Sequence, residues 1–245
     1  MTDIVVIVLA IALGAFVKGA TGSGLPLIAI PVMAVFLGVE RSIVIMTIPG
    51  IVSNAWMLWA LRHHLHRTRD LPAMLGTGMI GVLAGTWLLK TLDAPVLSLA
   101  LAAMIFVYVL LFFAHPDLRL PPATTRYLSV PVGAVAGALQ GATGLSGPVL
   151  LTWLHAYRLE KEVYLVSIVT LFQLFTVAQV FSLTALGLYT PERVRHSLLA
   201  LLPLVVLPLG TRLARRMPQR AFELLVLSLL VAVALKMVYD AVTVG

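Results

Sequence analysis

Cysteine is absent from this chain of 245 residues, which excludes disulfide cross-links, thiolate metal ligands and a cysteine nucleophile. Charged residues are scarce as well: they make up 11% of the sequence, while 60% of the residues are hydrophobic. A soluble domain of this length does not need so much apolar sequence. Because apolar runs of membrane-spanning length recur along the chain, we expect an all-α polytopic membrane protein, inserted in the lipid bilayer.

Signatures of catalysis are also missing from the sequence. It has no GxxxxGK[ST] loop, no HExxH motif, no Gly-x-Ser-x-Gly elbow and no paired aspartates in its apolar segments. Three nearby histidines, His63, His64 and His66, lie among arginines that oppose a cation. We therefore expect no enzyme activity, no cofactor and no metal site, and an intramembrane enzyme is the weakest alternative considered.

The net charge of +7 does not indicate binding to nucleic acid. The arginines lie in short loops between apolar segments, where membrane topology and anionic lipid headgroups account for them. The first apolar segment follows Met-Thr-Asp without a basic region, so we expect it to be a membrane segment rather than a cleaved signal. We expect a multi-pass protein of the bacterial cytoplasmic membrane.

Eight apolar regions are predicted by hydropathy, and six of them suit a single span each. They cover residues 3–38, 43–61, 71–89, 95–114, 128–156, 162–188, 194–214 and 220–242. The first would reach about 54 Å as one helix, well beyond a hydrocarbon core of about 30 Å. We expect it to break between residues 19 and 26, with Pro26 in the first turn of a second short helix.

A four-residue motif lies inside each of the two long regions. Gly19-Ala20-Thr21-Gly22 recurs as Gly141-Ala142-Thr143-Gly144, and each copy is followed by Ser-Gly and a proline. Glycine, proline and hydroxyl residues at this density interrupt a helix. In a bilayer such a break is tolerated only where its backbone groups face protein or a water-filled cavity.

The two halves of the chain correspond beyond this motif. Glu40-Arg41 matches Glu160-Lys161, and Gly85-Thr86 matches Gly210-Thr211, all at offsets of 120 to 125 residues. We predict an internal duplication, with a first transmembrane repeat at 1–114, a linker at 115–127 and a second repeat at 128–245.

Basic residues favour inverted over parallel repeats. If each broken region folds back on itself, eleven arginines and lysines in the loops lie on one face and four on the other. If each broken region crosses the bilayer once, the same residues divide eight against seven. The positive-inside rule prefers the uneven distribution, which puts both chain ends on the non-cytoplasmic side. Tolerance of arginine on either side remains the alternative.

The two breaks are the predicted substrate site, where helix N-termini, hydroxyl groups and one cation meet deep in the lipid and bind a small anion. The candidate residues are Lys18, Gly19, Thr21, Gly22, Ser23, Gln140, Gly141, Thr143, Gly144 and Ser146, with Asn54 and Gln173 as weaker candidates. In the alternative, the glycines only allow close helix packing and Lys18 extends to the interface. That alternative is stronger for Gly133, Gly137 and Gly141, which are four residues apart, and it also suits Gly81 and Gly85.

These motifs resemble the sulfite exporter TauE/SafE family over nearly the whole chain. The resemblance rests on the GATG break with its Ser-Gly and Pro, its recurrence, and the Gly-Thr pairs at Gly85 and Gly210. It implies a permease for sulfite, sulfonates or other small organic anions. We expect a secondary transporter that exports such an anion by alternating access around the two breaks. A passive anion channel is the alternative that the sequence does not separate from it, and a homo-oligomer is possible.

Overall fold

The structure is a computed structural model that describes residues 2–21, 24–114, 120–214 and 219–243. These residues form α-helices and two short 3₁₀ helices, with no strand among them. The α-helices are α1 (Thr2–Thr21), α2 (Leu25–Leu37), α3 (Val39–Leu61), α4 (Leu71–Thr91), α5 (Ala94–Ala114), α6 (Pro122–Thr143), α7 (Gly147–His155), α8 (Lys161–Ala185), α9 (Pro191–Leu199), α10 (Leu207–Ala214) and α11 (Gln219–Thr243). The 3₁₀ helices are Arg62–Arg67 and Leu202–Val206.

Six of the described helices, α1, α3, α4, α5, α8 and α11, are long and apolar enough to cross a bilayer. Large apolar side chains on them are exposed: the exposed fraction is 78% for Trp56, 69% for Ile80 and 73% for Phe181. In water so much apolar surface would be unfavourable, whereas in a bilayer it contacts lipid. The chain is therefore a multi-pass helical membrane protein.

Both long apolar regions break where the sequence predicts. The region 3–38 divides into α1 and α2, and the region 128–156 divides into α6 and α7. A glycine with positive φ lies at each break, Gly24 at +104° and Gly144 at +72°, a conformation that strains any residue with a Cβ atom. Pro26 lies in the first turn of α2, as expected, and Pro148 takes the same place in α7.

One predicted span is wrong. The region 194–214 is not a single helix, because α9 ends at Leu199 and the chain continues as the 3₁₀ helix Leu202–Val206 before α10 begins. Pro203 and Pro208 explain the interruption. Each lacks the backbone N–H that would bond the carbonyl four residues earlier, and its ring clashes with that carbonyl in a continuous helix.

Contacts along the chain divide it into two compact units. The first comprises the described residues of Met1–Pro49, Leu92–Leu110 and Tyr189–Gly245, and the second those of Gly50–Thr91 and Leu111–Leu188. The boundary falls within α3 and within α5. Each unit thus draws on both halves of the sequence, and the division into repeats at 1–114 and 128–245 stays a prediction.

In the first unit, α1 packs against α2, α10 and the 3₁₀ helix Leu202–Val206. The contact with α2 is close at Gly14, where an added Cβ would lie 2.6 Å from the carbonyl oxygen of Leu25. Arg41, which follows α2, forms an ion pair of 2.8 Å with Asp3 at the start of α1. These contacts hold α2 and the start of α3 against α1.

In the second unit, α4 and α6 pack backbone to backbone along glycines. An added Cβ would lie 2.8 Å from the amide nitrogen of Ala138 at Gly81, and 2.6 Å from the carbonyl oxygen of Met74 at Gly133. Gly137 on α6 would clash with the backbone of Gly78 on α4. The structure therefore supports the helix-packing interpretation for these glycines, whose small size lets α4 and α6 approach closely.

Substituting alanine on α4 tests this packing. Gly81→Ala should lower thermal stability, since overfilling a tight contact costs about 1–3 kcal/mol. Gly76→Ala is the matched control on the same helix, because an added Cβ there meets nothing within 4 Å. The control should leave stability unchanged or raise it by up to about 1 kcal/mol. Thermal unfolding of the purified protein in detergent measures both, and equal shifts for the two variants would contradict the packing.

Candidate functional site

The turn at the second break is stabilised by hydrogen bonds between residues close to it in the sequence. α6 ends at Thr143, and the N–H of Gly144 donates to the carbonyl oxygen of Gln140 at 2.9 Å. The hydroxyl of Thr143 donates to the carbonyl of Leu139 at 2.7 Å and accepts the N–H of Leu145 at 3.2 Å. The Thr143 hydroxyl, a candidate donor for a substrate, thus stabilises the turn in this conformation.

α7 restarts directly after this turn, with Ser146 as its N-terminal flanking residue. The side chain of Ser146 does not cap the helix. Pro148 has no N–H, while the N–H groups of Gly147 and Val149 belong to the first turn, where no earlier carbonyl of the helix is available. Together with the positive end of the helix dipole, they make this end of α7 suited to negative charge.

A chain of three polar side chains lies behind the break. The hydroxyl of Ser146 donates to Oε1 of Gln140 at 2.8 Å, and Nε2 of Gln140 donates to Oε1 of Gln179 at 3.0 Å. Nε2 of Gln179 in turn donates to the carbonyl oxygen of Gln140 at 2.8 Å and to that of Gly141 at 3.3 Å. All three side chains are buried, with exposed fractions of 1% to 7%.

Gln179 is a member of this polar chain that the sequence-based list of candidates did not include. It lies on α8, 39 residues from Gln140, so sequence spacing does not connect the two. One signal was present: an amide within a long apolar segment is costly unless it bonds a neighbouring helix or backbone group. Here it bonds two carbonyl oxygens at the end of α6: that of Gln140, which also accepts the N–H of Gly144, and that of Gly141, whose usual helical partner, the N–H of Leu145, donates to Thr143 instead.

Gly141 belongs both to the predicted site and to the glycine contact with α4. An added Cβ at Gly141 would lie 2.5 Å from the amide nitrogen of Thr86. Its carbonyl oxygen accepts the long bond from Gln179. Its lack of a side chain is thus explained by helix packing, and its backbone belongs to the polar chain.

The two weaker candidates, Asn54 and Gln173, are both on helices of the second unit. Asn54 is buried on α3, with an exposed fraction of 6%. Gln173 lies on α8, and its Oε1 atom is buried with no hydrogen-bond partner among the described residues. Such an atom in a native protein needs a water molecule or a ligand as donor. Their part in a substrate path stays a prediction.

The first break contributes a buried lysine. Lys18 lies in the last turn of α1 with an exposed fraction of 5%, and Gly19 follows it in the same turn. Gly22 and Ser23 lie outside the described residues, as does the side chain of Thr21. Lys18, Gly19 and Thr21 belong to the first unit, and the other described candidates belong to the second. That the two breaks form one site stays a prediction.

Metal ligands are not grouped in the part of the chain that the structure describes: no three His, Cys, Asp or Glu residues are placed to share an ion. His63, His64 and His66 lie in the 3₁₀ helix Arg62–Arg67, which has an arginine at each end. The nearby guanidinium groups repel a cation. We assign these histidines no ligand role.

The sequence model of one protein family matches this chain. The family is described as Sulfite exporter TauE/SafE, and the match covers residues 6–237. No curated protein and no solved structure matches the chain. The matched range includes both breaks and every candidate residue from Lys18 to Gln179.

Proposed function

Since this chain belongs to the sulfite exporter TauE/SafE family, whose members are membrane transporters, we propose that it exports a small anion across the bacterial cytoplasmic membrane. The candidate anions are sulfite, another sulfur oxyanion and an organosulfonate. One observation carries the proposal: two apolar segments break at the same motif, and each restarts as a short helix with proline in its first turn.

The electrostatics of the breaks support an anion as substrate. A helix that begins inside the protein presents N–H groups and a partial positive charge, which bind oxyanions. The second break adds no carboxylate: its side chains Gln140, Thr143 and Ser146 are neutral. The first break adds the ammonium group of Lys18, buried in the last turn of α1. A cation at membrane depth is costly, so it usually belongs to a substrate path.

The mode of transport that we propose is secondary transport, since the chain has no nucleotide-binding loop. A passive channel would use the same dipoles and the same cation. Proteoliposomes separate the two modes. A transporter gives saturable sulfite flux that is accelerated by sulfite on the opposite side of the membrane, whereas a channel gives single-channel currents and no such acceleration.

Removing the charge of Lys18 tests its part in the site. Lys18→Met keeps most of the side-chain volume and should raise the KM for sulfite about tenfold, because a hydrogen bond to a charged group contributes roughly 1.5–3 kcal/mol. The measurement is the initial rate of sulfite flux in proteoliposomes as a function of sulfite concentration.

Lys236→Met on α11 is the control for Lys18→Met. Lys236 is exposed and pairs with Asp240 at 2.6 Å, so its loss should leave the KM unchanged. Thermal unfolding of both variants shows whether they remain folded. A folded Lys18→Met protein with the KM of the unsubstituted protein would remove Lys18 from the site.

We also propose that the two halves are inverted repeats, with each broken region folding back to the side from which it starts. Contacts in the first unit support this arrangement. Glu40 and Arg193 form an ion pair of 2.6 Å, and Arg41 and Glu192 form another of 2.7 Å. In the parallel arrangement, residues 40–41 and 192–193 would lie on opposite faces of the membrane, where such pairs are impossible.

Contacts in the second unit support the same arrangement at the matching positions. Arg67 and Glu160 form an ion pair of 2.5 Å, and this guanidinium holds the pKa of the Glu160 carboxyl below its usual value. Asp70 accepts hydrogen bonds from Thr125 near the start of α6 and from Tyr157 just after α7. These contacts of Asp70 support our proposal that the second broken region begins and ends on one side of the membrane.

Single cysteines test this topology, because the chain has none of its own. On the inverted arrangement, His64→Cys should lie on the cytoplasmic side and Arg195→Cys on the opposite side. A membrane-impermeant thiol reagent applied to intact spheroplasts should therefore label Arg195→Cys at once and His64→Cys only after permeabilisation. Labelling of both variants in intact spheroplasts would contradict inverted repeats.

A further inference from the structure

The polarity of the hydrogen-bond chain behind the second break is fixed by the backbone. Nε2 of Gln179 faces two carbonyl oxygens, those of Gln140 and Gly141. Carbonyl oxygens only accept hydrogen bonds, so the amide of Gln179 must present its nitrogen to them. Its Oε1 is therefore turned towards the Gln140 side chain, where it needs a donor.

The same reasoning fixes the next two members of the chain. Gln140 must present Nε2 to Oε1 of Gln179, which leaves its own Oε1 facing Ser146. Ser146 must then donate its proton to Gln140. A hydroxyl group has one proton and two lone pairs, so Ser146 Oγ keeps only the capacity to accept. Among the described residues, nothing donates to Ser146 Oγ.

We propose that the second break selects an anion that carries a proton, with Ser146 Oγ accepting that proton in a hydrogen bond. Gln179 acts as a positioning residue, since it fixes the direction of the chain that ends at Ser146. The inference rests on the proposed function and specifies its substrate class: a monoprotonated oxyanion such as hydrogen sulfite.

This selection follows from the groups at the start of α7. The N–H groups of Gly147 and Val149 suit the unprotonated oxygens of the anion, whereas Ser146 Oγ suits its proton. Sulfate and alkylsulfonates carry no proton near neutral pH. Their oxygens would face the lone pairs of Ser146, and an acceptor opposed to an acceptor leaves both without a hydrogen bond.

The first break does not repeat this arrangement. The residue 122 positions before Gln140 is Lys18, and the residue 122 positions before Ser146 is Gly24. The first break thus has a lysine where the second has Gln140, while Ser23, the serine of its Ser-Gly pair, lies outside the described residues. The inference therefore concerns the second break.

The test uses the whole protein in proteoliposomes, with sulfite as the transported probe and methanesulfonate as a competitor of equal charge without an acidic proton. Flux is measured on both sides of the pH at which sulfite takes up a proton. The KM for total sulfite should rise with pH as hydrogen sulfite is lost. Methanesulfonate should compete about tenfold more weakly than hydrogen sulfite, with an inhibition constant independent of pH.

Two variants test whether Gln179 and Ser146 cause the preference for hydrogen sulfite over methanesulfonate. Gln179→Leu removes the group that fixes the polarity, so Ser146 becomes free to donate, and the preference for hydrogen sulfite over methanesulfonate should fall about tenfold. Ser146→Ala removes the acceptor with a small change in volume and should lower the preference similarly. Thr176→Val, on α8, is the control, because its hydroxyl bonds only the carbonyl of Phe172 within the same helix.

A loss of preference in Gln179→Leu and Ser146→Ala, with Thr176→Val unchanged, supports the inference. A merely structural role for Gln179 would lower activity for both anions alike and leave their ratio intact. An unchanged ratio in Ser146→Ala, or equal competition by methanesulfonate in the unsubstituted protein, would overturn the inference while leaving anion export standing. Absence of any saturable sulfite flux would overturn the proposed function itself.

Discussion

Every peptide N–H and C=O group inside a bilayer needs a partner in the protein or in a water-filled cavity, and this constraint governs the whole chain. The residues 144–146 between α6 and α7 would be unremarkable in a soluble loop, but within an apolar segment they need substitutes for the missing helical bonds. At the second break two substitutes are visible: the Thr143 hydroxyl accepts the N–H of Leu145, and the Gln179 amide donates to the carbonyl oxygen of Gly141. These specific hydrogen bonds indicate that the break is part of the folded structure and is not a local distortion of a continuous helix.

The two breaks share a sequence motif but differ in the side chains that they provide. The second is neutral, and its Thr143 and Ser146 hydroxyl groups donate their protons within the chain. The first places Lys18, a buried cation, at the position that matches Gln140.

The breaks were predictable because their signals are local: glycine, proline and hydroxyl residues within a few positions of one another. The same reasoning should have divided the region 194–214, where Pro203 and Pro208 act without a neighbouring GATG motif. The hydrogen bonds of Gln179 could not be predicted from the sequence, for a different reason. Its role depends on the packing of α8 beside the end of α6, and no period or spacing in the sequence encodes a contact across 39 residues. Features that depend on neighbouring residues in the sequence can be predicted from it, whereas contacts between helices cannot.

The most direct test of the account is to locate a bound anion at the second break. Selenite has the shape and charge of sulfite, and its selenium atom can be found by anomalous scattering in crystals of the protein. The account predicts a selenium peak at the start of α7, with selenite oxygens within hydrogen-bonding distance of the Gly147 N–H and of Ser146 Oγ. A peak elsewhere in the protein, with the start of α7 closed by packed side chains, would contradict it.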